Sequence, residues 1–339
     1  MSPAAIPKIN LVRIAHVYYN HADLEKAHQF MLDFGLQVAK QTEDCIYYNG
    51  LCSEPFVYCA TKSDSNSFGG AAFVVESLAD LELASQTLPN ATSIHDVDAP
   101  GGGKRVTFYD PVDGFPFHLV YGQTPKEVSP RPSQLEYNFP QEKHREVNKT
   151  QRFKPGPAMV DKLGHFGCCV TNFEQSFNFY TTRFNLKPSD LIHDSTGKDI
   201  TTFLHLGRGM TQVDHHTFFF FEGLSRLLTP LSPQRNRTEM VTQEPGPKFH
   251  VHHSSFEVHD FDVQSLGHQW LRDKGYELVW GVGRHVLGSQ IFDYWFDTSK
   301  FILEHYADGD LVDETTPIGR EEAGPDNCTF GGRLCLPHF

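Results

Sequence analysis

The chain repeats itself. From Arg13 it reads R-I-A-H-V-Y-Y-N, then a stretch of helical spacing, then F-G-L; from Lys162 it reads K-L-G-H-F-G-C-C-V-T-N, a second helical stretch, then F-N-L. His16 precedes Phe34 by 18 residues and His165 precedes Phe184 by 19, so the two segments run almost in register. In the second copy Phe173, Phe177, Tyr180 and Phe184 share one helical face. Asn172, with Gln175 three residues on, resembles a capping box, and Gly35 and Asn185 stand where a left-handed helix-ending residue is wanted. Each copy is thus a strand and a helix. Short β-rich runs follow, at 45–48 and 56–60 in the first copy and at 201–206 and 216–221 in the second.

Two further units begin near Ala71 (AAFVVESLADLELASQTL) and His253 (HSSFEVHDFDVQSLGHQWLRDKG), and their last strands read FPFHLVY and FILEHY. Four βαβββ-like units with a period of about 50–60 residues argue for an α+β chain of two tandem domains, because one such unit cannot bury its apolar face alone. The expected boundaries are 1–124 for an N-terminal domain, 125–158 for a linker rich in Pro, Glu, Lys and Gln, 159–310 for a C-terminal domain and 311–339 for an acidic, Gly-rich tail. Residues 224–248 read as an inserted surface loop.

The net charge of -13 and the lack of any Lys/Arg cluster argue against nucleic acid as a partner. Seven irregularly spaced Cys, with no C-x-x-C pair, read as reduced thiols rather than a disulfide scaffold. No apolar run approaches the ~20 residues of a membrane span, and the first residues lack a signal-peptide core, so a cytoplasmic protein with no membrane partner is expected.

The 19 His matter through their placement. His165, His253 and Glu304 fall at equivalent strand positions of units three and four, and two imidazoles with one carboxylate suit a mononuclear non-haem metal with open positions. Strand side chains alternate faces, so His252 and His253 cannot both point inward, nor Glu304 and His305. A carboxylate inside F-I-L-E would be costly to bury without a partner, and a metal removes that difficulty.

Over roughly residues 8–308 the sequence resembles the vicinal oxygen chelate superfamily, and within it the extradiol ring-cleavage dioxygenases. The resemblance is carried by L-G-H at 163–165, H-H-x-x-F at 252–256 and G-R-H…Y…E over 283–304. It implies that each domain is a curved mixed sheet around a barrel-like cavity. It also implies that the second His of H-H-x-x-F, His253, is a ligand with His165 and Glu304. The extradiol pattern places a His 19 residues and a Tyr 10 residues before the ligand Glu, which here are His285 and Tyr294. A remaining acid–base His falls in a D-H context, giving His215, with His216 as its rival. The resemblance further implies Fe(II), with Mn(II) able to use the same ligands, and no organic cofactor. The implied reaction puts both atoms of O2 into a catechol-type ring beside the diol, giving a semialdehyde-type product. The implied partners are an aromatic diol, O2 and further copies of the chain in a homo-oligomer.

The N-terminal copy acts as an internal control. Alignment sets His16 opposite His165, Gly70 opposite His253 and His118 opposite Glu304, so the expected ligand set is lost there. G-G-G-K at 101–104 lacks phosphate-loop spacing and reads as a repeat turn, while F-F-F-F at 218–221 and Cys168-Cys169 read as core. The competing functions are a glyoxalase-like isomerase or hydroxyphenylpyruvate-type dioxygenase, which would not need His285 and Tyr294, and a binding or resistance protein without catalysis.

Overall fold

The computed structural model describes residues 7–223 and 249–324, so the 224–248 insert and the last part of the tail lie outside the described residues. The first half runs β1 (Leu11–His21), α1 (Leu24–Asp33), β2 (Gln37–Gln41), β3 (Cys45–Asn49), β4 (Tyr58–Lys62), β5 (Ser67–Val75), α2 (Leu78–Thr87), β6 (His95–Asp96), β7 (Lys104–Tyr109) and β8 (Pro116–Tyr121). The second runs β9 (Val160–Val170), α3 (Phe173–Arg183), β10 (Leu186–His193), β11 (Asp199–Leu206), β12 (Val213–Asp214) and β13 (Phe218–Glu222). It continues through β14 (His250–Val258), α4 (Phe261–Asp273), β15 (Leu278–Arg284), β16 (Ile291–Phe296), β17 (Ile302–Ala307), β18 (Leu311–Val312) and β19 (Gly319–Glu322).

The repeat is visible in the pairing. One sheet has the order β2-β3-β4-β1-β5-β8-β7-β6 and the other β15-β16-β17-β14-β9-β13-β11-β10-β19. In each, the opening strands of its two units pair antiparallel at the centre (β1 with β5, β9 with β14). Each central strand then takes a parallel neighbour from its own unit: β4 and β8 in the first sheet, β13 and β17 in the second. The architecture is α+β with few helices, as the repeat predicts.

The four helices among the described residues start the same way. Asp23, Ser77, Asn172 and Asp260 each accept a hydrogen bond from the backbone N–H three residues on, which satisfies one of the helix's orphan donors. Gly35 ends α1 with φ of 99°, as expected. Asn185 does not adopt that conformation. The chain is already extended at Phe184, and the Asn185 side chain instead joins the halves, accepting from the Leu11 N–H (2.8 Å) and donating to the Leu11 carbonyl (3.0 Å). The short strands also sit slightly differently from their sequence runs: β4 starts two residues into the 56–60 run, at Tyr58, and β13 starts at Phe218, beyond the His pair.

The two sheets share one core. Phe166 of β9 packs against Phe68, Phe73 and Phe117 of the first half and Phe218 of its own. His305 of β17 stacks on Phe34 and is hydrogen-bonded to its carbonyl (2.7 Å). The tail is in part structural, since β18 pairs with β12 and β19 runs parallel to β10. Asp33, buried at the end of α1, accepts from Gln29 Nε2 (3.0 Å) and, across the halves, from Trp270 Nε1 (3.0 Å) and Tyr276 OH (2.9 Å). Removing it strands three donors. Asp33→Ala is therefore expected to lower unfolding free energy by about 3 kcal/mol, read from the urea midpoint, with binding at the distant site unaltered.

Candidate metal centre

Four neighbouring strands present one face to a cavity. In the β9–β14 register Ser255 stands opposite His165, in β14–β17 it stands opposite Glu304, and in β16–β17 Tyr294 stands opposite Glu304. His253 lies two residues before Ser255 on the same strand face. Side chains from positions far apart in the chain are thereby brought to a single point.

His165 Nε2 and His253 Nε2 are each 3.2 Å from Glu304 Oε2 and 3.3 Å from one another. All three residues are buried, and theirs is the one His/Cys/Asp/Glu group of three with converging ligand atoms among the described residues. Both Glu304 oxygens are buried without a hydrogen-bond partner. Donors about 2.1 Å from a common ion stand about 3.0 Å apart at right angles and about 3.4 Å apart at the tetrahedral angle, so the observed triangle fits one ion. Burial drives the Glu304 carboxyl upward, but the facing imidazoles of His165, His253 and His285 outweigh it and hold the acid well below the usual carboxylate range. Burial pushes His165 down, an effect that Glu304 only partly offsets. An ionised carboxylate and an unprotonated imidazole are the forms in which these groups ligate.

Strand alternation does not by itself separate His252 from His253. A register shift between Val251 and His253 lets both rings lean the same way, and their Nδ1 atoms meet at 2.7 Å. His253 nevertheless supplies the nitrogen that reaches Glu304. For Glu304 and His305 alternation holds: the carboxylate faces the His165 and His253 imidazoles and the His305 imidazole faces Phe34.

His285 and Tyr294 are adjacent to the triad. His285 Nε2 is hydrogen-bonded to Tyr294 OH (2.8 Å) and lies 3.8 Å from Glu304 Oε1. Burial, then the Glu304 charge, raises the Tyr294 phenol well above its ordinary value, so it remains a donor. The pair forms one wall of a small cavity that is also lined by His165, His253, His216, Phe203, Phe219, Leu287 and Gln290.

His216, and not His215, is among the described lining residues. Its ring packs on His165 with centroids 4.2 Å apart. His215 instead directs Nε2 to Asp190 Oδ2 at 2.8 Å. Between β12 and β13 the backbone leaves regular strand geometry, and of the two neighbouring rings it is the rival, His216, that lines the cavity. Sequence also missed Phe203, Leu287 and Gln290 as walls. Phe219 was legible only as core: Phe218 and Phe220 face the main core while Phe219 and Phe221 face the cavity side, the period of two expected of a strand. Two glycines make room: a Cβ at Gly164 would run into the Tyr306 ring, and one at Gly167 into Phe219.

In the N-terminal half the matching residues also converge, but they are occupied. His118 is hydrogen-bonded to Thr107 Oγ1 (2.8 Å) and the Gly69 carbonyl (3.0 Å), and His16 to Tyr18 OH (3.1 Å). The backbone of Gly70 packs directly on the His118 ring, so the position opposite His253 has no room for a ligand.

Residues 162–304 match the family described as Glyoxalase/Bleomycin resistance protein/Dioxygenase superfamily. The chain is 24% identical over 323 residues to metapyrocatechase 2 of Cupriavidus necator, covering 92% of this chain and 85% of that protein. Among solved structures, the Mn(II)-bound glyoxalase from Novosphingobium aromaticivorans superposes with a TM-score of 0.73 at 19% identity, covering 98% of this chain and 95% of that one. Homoprotocatechuate 2,3-dioxygenase from Brevibacterium fuscum, in its complex with 3,4-dihydroxyphenylacetate, superposes with a TM-score of 0.73 at 17% identity, covering 96% and 89%. At these identities the structural likeness establishes the fold.

Metal titration separates ligands from neighbours. Glu304→Gln and His253→Ala are expected to weaken Mn(II) affinity by about 100-fold or more, and His252→Ala by a smaller factor, measured by calorimetry. Full affinity in Glu304→Gln would displace the site.

Proposed function

We propose that this chain, a member of the glyoxalase/bleomycin resistance protein/dioxygenase superfamily through residues 162–304, is an Fe(II)-dependent extradiol dioxygenase of catechol-type diols. The observation that carries the reading is the His285–Tyr294 pair standing beside the His165/His253/Glu304 triangle. An isomerase would need the triangle but not this pair. Kinship with a metapyrocatechase supports ring cleavage, and two imidazoles with one carboxylate favour Fe(II) over other divalent ions, with Mn(II) as the substitute. No described helix is long and apolar enough to cross a membrane. A cytoplasmic homo-oligomer remains our proposal for its setting.

The three ligands would hold the metal by Nε2 of His165, Nε2 of His253 and a carboxylate oxygen of Glu304. When bound, the metal supplies a Lewis acid with adjacent open positions and an electron source for O2 chemistry. The residues of the chain do the rest. Tyr294 OH and His285 Nε2 are placed to hydrogen-bond diol oxygens and charge developing there. The acid–base role passes from His215 to His216, whose ring borders the cavity and can take a proton from the substrate and return it. Phe203, Phe219 and Leu287 exclude water, which strengthens each of these polar contacts.

The cavity also bears on substrate class. Its described lining holds no Lys or Arg, and Arg284, next to His285 in the chain, turns away to Asp308 (2.8 Å) and the Ser289 carbonyl (2.6 Å). A substrate carboxylate buried there would meet no Lys or Arg among the described lining residues, at a cost of several kcal/mol. The reading therefore selects diols with neutral substituents. The test is O2 uptake by anaerobically Fe(II)-loaded protein against catechol, methylcatechols and protocatechuate, followed for a yellow ring-opened product. One O2 per diol is expected, with kcat/KM for the neutral diols at least about 10-fold above that for the carboxylated one. Metal binding without O2 uptake from any diol would overturn ring cleavage in favour of an isomerase. His216→Ala is expected to keep the metal and lose about 10²–10⁴-fold in kcat, the span of general acid–base catalysis.

A further inference from the structure

Behind His216, on the side away from the cavity, runs a buried hydrogen-bonded chain to which ring cleavage as described assigns no task. His216 Nδ1 is 3.1 Å from His215 Nδ1, and His215 Nε2 is 2.8 Å from Asp190 Oδ2. All three residues are buried. The middle member is pinned through its backbone: the His215 N–H donates to the Asp310 carbonyl (2.9 Å), and its carbonyl accepts from Ser189 Oγ (2.5 Å). The Gly288 backbone packs against the His215 ring, where even a Cβ would be tight. Asp190 is held on β10 opposite Gly319 of β19, and a side chain at Gly319 would run into the Asp190 carboxylate.

This order of groups dictates where the protons sit. An ionised carboxylate only accepts, so His215 Nε2 must carry the hydrogen it shares with Asp190. In neutral His215 the other nitrogen, Nδ1, is then a bare acceptor. It can bond His216 Nδ1 only if that atom carries a hydrogen. His216 is consequently left with a bare Nε2, the nitrogen not engaged by His215, on a ring that borders the cavity. We propose that Asp190 and His215 are positioning residues that fix His216 as its Nδ1–H tautomer and aim a bare Nε2 at the bound substrate. The kinetic consequence rests on the ring-cleavage reading; the tautomer itself does not.

Asp190→Asn tests the chain, because its amide can donate to His215 Nε2 and reverse every bond, leaving His216 Nε2 protonated. The expected result is a kcat about 10–100-fold lower, with KM within about 2-fold and metal stoichiometry unchanged. In a His216→Ala background the same substitution should change kcat by less than about 2-fold, since a residue acting through His216 has nothing left to act on. An equal loss in both backgrounds would make Asp190 merely structural and overturn the proposal. The second measurement needs no turnover: ¹⁵N NMR of histidine-labelled, Zn(II)-substituted protein. The proposal expects a protonated Nδ1 and an unprotonated Nε2 for His216. A protonated Nε2 in the unsubstituted protein overturns it, whether or not any diol consumes O2.

Discussion

The structure depends on one buried carboxylate. Glu304 is fully buried on β17, its oxygens lack hydrogen-bond partners, and three imidazoles face it. An isolated charge in such a place would be ruinous to stability, so the group must be compensated by whatever the surrounding nitrogens jointly hold. Each larger feature follows from that need. The β16-β17-β14-β9 order lays Tyr294, Glu304, His253 and His165 side by side. The glycines around His165 admit Tyr306 and Phe219 close to the strand. The antiparallel β9–β14 pair, which is also the pseudo-symmetric centre of the repeat, sets His165 and His253 face to face.

The same framework in the N-terminal half shows what the ligands contribute. The strands recur with the same pairing, but His118 spends both ring nitrogens on Thr107 and Gly69, and Gly70 closes the third corner. That half packs against the one holding the His165–His253–Glu304 triangle, through the Phe166 cluster, the Phe34–His305 stack and the bonds to Asp33. A duplicated fold thus supplies the rigidity that a precise donor triangle requires.

Much of this was legible in the sequence because it is written in periodicity. The repeat exposed four units, Asn172 marked the start of α3 and Gly35 the end of α1; His285, Tyr294 and Glu304, which do meet, were singled out by the family resemblance rather than by periodicity. What escaped lies where periodicity fails. Asn185 could be read as a helix end because a left-handed Asn and a side-chain bridge look alike in one dimension. His215 and His216 sit between strands, where alternation gives no direction, and only the pairing of His215 with Asp190 tells them apart. The cavity walls at Phe203, Leu287 and Gln290 come from non-adjacent segments, and the bulge before His253 arises from strand pairing that sequence spacing does not record.

The most direct measurement is anomalous diffraction from crystals of the protein grown with Mn(II). The account predicts one metal peak per chain, bounded by His165 Nε2, His253 Nε2 and a Glu304 oxygen at about 2.0–2.3 Å, and no peak between His16 and His118. A peak elsewhere, or an intact His165–His253–Glu304 triangle without metal at saturating Mn(II), would contradict it.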